Sequence, residues 1–119
     1  MKALMLVSVV FAIALANAAS ADVAGTYTGG GTNPSGAGSY DCDVVITKTG
    51  DVYSVQWYFG GALGYDGAGI MKNGLFCVGF ASPDGYGVVV YEVAADGSLD
   101  GVWTMAGADE LGTETLKKK

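Results

Sequence analysis

Four acidic residues have the spacing that invites chemistry. Asp41 and Asp43 stand two apart in SYDCDVV, and Asp96 and Asp100 head two Asp-Gly pairs in AADGSLDGVW. On a strand, a two-residue step puts Asp41 and Asp43 on one face about 6–7 Å apart, within the span of some acid–base pairs. A carboxyl works as a general acid only where burial or a like charge lifts its pKa, and a solvated outer face does neither. The pair therefore reads as edge and solubility charge. A helix-flanked calcium loop wants acids at alternate positions, a central glycine and a closing glutamate, and residues 94–103 lack that pattern. Asp96-Gly97 reads instead as a hairpin turn, and Asp100 as an outward strand position.

The chain contains no histidine and no arginine. Histidine is the commonest neutral-pH base and metal ligand, and arginine the usual clamp for carboxylate or phosphate, so most hydrolase and transferase layouts are closed to it. No cofactor or metal site is expected, and the chain is expected to bind rather than catalyse. Two cysteines, Cys42 and Cys77, leave two possibilities open. A disulfide would close a loop of roughly 35 residues and add on the order of 3–4 kcal/mol; otherwise they are separate buried thiols.

Of the 119 residues, the first 21 read as a secretory signal peptide: Lys2, an apolar run from Ala3 to Ala16, and the small-residue stretch ANAASA. The run is short for a permanent membrane span. This leaves residues 22–119 as a single exported domain, periplasmic or secreted, in an oxidising compartment. Five lysines against twelve acids give that domain a net charge of −7, which disfavours nucleic acid and anionic lipid as partners.

Residues 22–119 show one rhythm, short β-branched and aromatic runs punctuated by Gly, Asn-Gly and Asp-Gly. Strands are expected over 22–29, 39–48, 51–59, 64–71, 75–81, 86–93, 98–105 and 111–117. Turn chemistry in TGD, KNG, PDG and ADG joins neighbours as hairpins, and GGTNPSGAG at 30–38 is the one long connection. The fold class is therefore all-β: an antiparallel up-and-down meander of about eight short strands, closed as a small barrel to remove its edges. Alternation assigns Tyr53, Val55, Trp57 and Phe59, with Leu99, Trp103 and Met105, to the interior. With so many large rings competing for the inside of an eight-stranded barrel, a filled core is expected. Tyr58, Tyr65, Tyr86 and Tyr91 form a candidate outer binding surface.

The segments GTYTGGGTNPSG, GAGIMKNGLFCVGF, GVVVYEVAADGSLDGVWTMAG and GTETL together resemble a family of small exported bacterial proteins labelled fibronectin-binding. The resemblance covers nearly all of residues 22–119 and implies adhesion to a host matrix or envelope protein, fibronectin being the named partner. A looser similarity, through Gly25-Thr26-Tyr27, runs to avidin- and lipocalin-like barrels. The alternative it suggests is a carrier holding a small apolar ligand inside.

Overall fold

A computed structural model describes residues 22–119; the signal segment expected over 1–21 lies outside the described residues. Eight antiparallel strands follow in chain order: β1 (Gly25–Thr32), β2 (Ser39–Thr49), β3 (Val52–Phe59), β4 (Ala62–Lys72), β5 (Leu75–Ser82), β6 (Gly85–Val93), β7 (Leu99–Met105) and β8 (Gly112–Lys118). Each pairs with its sequence neighbour, and β8 returns to β1 from Tyr27↔Lys118 to Thr32↔Thr113, closing the barrel. The only helical piece among the described residues is a 3-10 turn at Pro34–Gly36, and no helix there is long and apolar enough to cross a membrane.

Local chemistry explains the connections. Asn73 and Gly74 take φ of 53° and 79° between β4 and β5, the doubly left-handed pair that a two-residue hairpin demands. At 94–98, Asp96 Oδ1 accepts from the Ser98 backbone N–H at 2.9 Å and its hydroxyl at 2.6 Å, so this Asp-Gly pair is a turn, as its sequence indicates. Asp100 is exposed on the outer wall. Asp43, also outside, pairs with Lys119 at 3.3 Å.

Connections alternate between the two ends of the barrel. One end carries the β2–β3, β4–β5 and β6–β7 turns together with residues 22–24; it is called the closed end. The other, the mouth, carries the β1–β2, β3–β4, β5–β6 and β7–β8 connections. At the closed end Val23, Tyr27, Tyr53, Phe76, Leu99 and Leu116 fill the interior. Tyr27 Oη donates to the Val23 carbonyl at 2.8 Å, strapping the entry segment across the barrel. Tyr53 meets Phe76 edge to face at 5.2 Å, and Phe76 stacks on Tyr91 at 6.0 Å.

Glycine makes room for these rings. A Cβ at Gly69 would lie 2.7 Å from Phe76, and one at Gly101 2.6 Å from Tyr91. Large side chains on one strand thus lie over bare backbone on the next, which fits aromatic rings into a narrow barrel.

One open question is resolved here and one sequence expectation is corrected. Cys42 and Cys77 are both free thiols: Cys42 is buried inside the barrel on β2, whereas Cys77 faces outward on β5 between inward Phe76 and Val78. The barrel wall stands between them. Tyr91, expected outside, is fully buried. GVVVYEV is apolar on both faces, so its phase is hidden until the β5 pairing Phe76↔Tyr91 sets it.

Candidate functional site

Above the packed layers the interior opens. A cavity of about 320 Å³ leads to the mouth and is lined by Asn33, Tyr40, Trp57, Phe59, Tyr65, Phe80, Val89, Trp103, Met105 and Glu114. The expectation of a filled core holds for the closed half of the barrel and fails for the mouth half. Of the interior residues assigned from sequence, Tyr53, Val55 and Leu99 are buried in the packed part. Trp57, Phe59, Trp103 and Met105 line the cavity.

Five rings form a collar. Tyr40 meets Phe59 with centroids 6.0 Å apart, Phe59 meets Tyr65 at 6.1 Å, Tyr65 meets Phe80 at 5.4 Å, Phe80 meets Trp103 at 6.1 Å, and Trp103 returns to Tyr40 at 6.0 Å. Every contact in this circuit is edge to face, the arrangement ring quadrupoles favour. Trp57 sits against Phe80 at 5.5 Å. The collar residues come from β2, β3, β4, β5 and β7, while Gly87 on β6 and Gly112 on β8 leave space beside Phe80 and Trp103. A Cβ there would fall 2.5 and 2.7 Å from those rings.

Tyr65 was expected outside and lines the cavity. The β3–β4 register shifts between Trp57 and Tyr58, with Trp57 opposite Tyr65 and Tyr58 opposite Leu63. Such a bulge resets the alternation, which no period-two reading of GALGYDG can anticipate. Tyr58 and Tyr86 keep the outward positions expected of them, Tyr86 being well exposed and Tyr58 half-buried.

Glu114, 4% exposed, is the one buried charged residue among those described. Tyr40 Oη donates to its Oε1 at 2.9 Å and the Cys42 thiol approaches the same oxygen at 3.6 Å. Trp57 Nε1–H donates to Oε2 at 3.1 Å, and Tyr91 Oη donates to Oε2 as well. Four neutral donors thus serve the two oxygens, answering the demand a buried carboxylate makes for hydrogen bonds. Burial first, then the negative charge of Glu114, pushes the Tyr40 and Tyr91 hydroxyls and the Cys42 thiol well above their ordinary pKa values. All three remain protonated at neutral pH and none is an activated nucleophile.

Sequence reasoning did not single out Glu114 or Tyr40 as site residues. The signal for Glu114 is its phase: in GTETL it alternates with Gly112 and Leu116, so an acid stands on the apolar side of a strand. A charge in step with a core leucine marks a site when nearby tyrosines and a tryptophan can donate to it.

No protein-family model matches the chain, and no curated protein matches it.

Proposed function

We propose that the protein is an exported carrier that holds a small, largely apolar molecule in the mouth half of its barrel. The observation that carries this reading is the 320 Å³ cavity ringed by five aromatic side chains above a buried carboxylate. That volume is at the lower end of the range of small-molecule sites, roughly 300–1,000 Å³, and the lining has their usual character: apolar walls with a few convergent polar groups. Protein interiors otherwise close up to crystal-like density, so an open volume among these rings stands apart from the packed half. The raised pKa of the Cys42 thiol and the Tyr40 hydroxyl favours binding over catalysis.

Native mass spectrometry on protein purified from the cells that make it tests this. The carrier reading expects a substoichiometric to stoichiometric mass increment that collisional activation removes. A spectrum of bare protein, unchanged after incubation with neutral and with charged aromatic compounds, would count against it.

A second reading, a protein partner on the outer wall with fibronectin as the implied candidate, is favoured by one feature. Ile70, Val88 and Val102 are about half exposed and lie with Cys77 on the outside of β4–β7, an apolar face of the kind that marks contact surfaces. Retention on immobilised fibronectin at physiological salt, abolished by Val88→Asp, is the result this reading requires.

A further inference from the structure

We propose that the occupant of the chamber is an organic cation, an ammonium group carried on an apolar body. This rests on the carrier reading and names the chemical class of the ligand.

Three observations converge on a positive charge. The first is the floor. Hydrogen bonds satisfy the lone pairs of Glu114, yet every donor to it is neutral, so the negative charge itself has no counterion within the barrel. The one salt bridge among the described residues, Lys119 to Asp43, lies on the outer wall. A buried charge without an opposite charge is unfavourable, and a bound cation would supply what the protein withholds.

The second is the wall. Tyr40, Phe59, Tyr65, Phe80 and Trp103 form a closed circuit with Trp57 beneath it. Aromatic rings attract ammonium groups through their quadrupoles, and cages of several rings are the usual receptors for them.

The third is the sorting of charge along the barrel axis. Lys48 and Lys72 end β2 and β4, and Lys117, Lys118 and Lys119 end β8, so all five lysines among the described residues lie in the closed half. The closed half also carries Asp22, Asp51, Glu92, Asp96 and Asp100, whose charge those lysines offset. Around the mouth, by contrast, Asp84, Asp109 and Glu110 stand in the connections and Asp41 and Asp66 on the wall just behind it, with no lysine among them. A low-dielectric channel rimmed by one sign of charge focuses its field on the opening and draws in the opposite sign. An anionic ligand would meet repulsion at the rim and at the floor, and a neutral one would leave Glu114 uncompensated.

The test compares three probes of one shape: benzyltrimethylammonium, its uncharged carbon isostere neopentylbenzene, and benzylsulfonate. Binding is read from the fluorescence of Trp57 and Trp103, the only tryptophans in the chain, at about 10 mM and about 150 mM salt, where the Debye length falls from roughly 30 to 8 Å. The cation should bind about tenfold or more tightly than the isostere, with an advantage that shrinks as salt rises, and the sulfonate should not bind. Glu114→Gln should bring the cation down to the level of the isostere and leave the isostere unchanged. Should that variant fail to fold, the combined change Asp84→Asn, Asp109→Asn and Glu110→Gln, all in exposed connections, should slow cation association at low salt and leave neopentylbenzene unaffected. Equal or tighter binding of neopentylbenzene overturns the cation assignment while sustaining the carrier reading. Failure of all three probes to bind overturns both.

Discussion

The closed half and the mouth half of this barrel are built from the same strands with the same alternation, yet one is solid and the other hollow. At the closed end, inward side chains lock together: Tyr53 meets Phe76 over Gly69 of the strand between them, Phe76 stacks on Tyr91, and Leu99 lies beside Leu116, with Val23 drawn in by the Tyr27 hydroxyl. At the mouth, equally large rings form a circuit around the cavity, with Trp57 against Phe80 and the Tyr65 hydroxyl reaching Met105 Sδ at 3.8 Å. Residues 22–24 cover one end, and among the described residues the cavity leads to the other. Glu114 sits at the boundary, with Tyr91 reaching it from the packed side and Tyr40 from the open side. Close packing and the proposed binding role thus fall at different ends of one structure, with a carboxylate at the boundary between them.

Substitutions at the two ends should separate those roles. The largest effect is expected in the packed half: Phe76→Ala removes a fully buried ring that touches Tyr53 and Tyr91, and should lower unfolding free energy by about 3–5 kcal/mol in urea titration. Glu114→Leu comes next, at about 2–4 kcal/mol. It leaves the Trp57 N–H and Tyr91 hydroxyl without their acceptor, and each orphaned buried donor costs roughly 1–3 kcal/mol. Phe59→Leu in the collar should behave differently, costing no more than about 1.5 kcal/mol because the ring is half-buried and the swap keeps most of the volume. The same variant should weaken uptake of an aromatic probe about tenfold, as loss of ring contacts predicts. If Phe59→Leu proves as damaging to stability as Phe76→Ala, the distinction between the halves fails.

Alkaline pH examines the boundary. The hydroxyls of Tyr27, Tyr40 and Tyr91 are all raised, by burial first and then by the charge of Asp22 for Tyr27 and of Glu114 for the other two. Their folded-state pKa lies above the unfolded value near 10. The stability they contribute is therefore fully present below about pH 10 and is lost as pH rises toward the folded values, because the unfolded chain then releases protons that the folded one keeps. Absorbance of phenolate should show these tyrosines titrating together with loss of the β-sheet circular dichroism. The smallest effect concerns the thiols. A maleimide should label Cys77 promptly and Cys42 only on unfolding, since Cys42 is 5% exposed and its thiol is held protonated.

Much of the fold was legible because turn chemistry and alternation are local. Asn73-Gly74 and Asp96-Gly97 announce their hairpins, and the meander they impose leads to closure. The interior assignments of Tyr53, Val55, Trp57 and Leu99 follow from the same period of two. Three things were not legible. The bulge beside Trp57 turns Tyr65 inward, and nothing in the local sequence marks it. The phase of β6 depends on its partners, so Tyr91 was misplaced. Hollowness itself is a long-range property: it depends on how inward side chains from all eight strands pack in three dimensions. Counting aromatics in the sequence suggests a plug, whereas the structure divides them between a plug and a collar.

The central claim is that the mouth half is a ligand chamber, and the two indole N–H groups report on it directly because both tryptophans line the cavity. Titration of isotope-labelled protein with the neutral probe N-phenyl-1-naphthylamine, followed by nuclear magnetic resonance, should shift the Trp57 and Trp103 indole signals together with the amides of Tyr40, Phe59 and Tyr65. Shifts confined to the outer wall around Ile70, Val88 and Val102, with both indole signals unmoved, would contradict it.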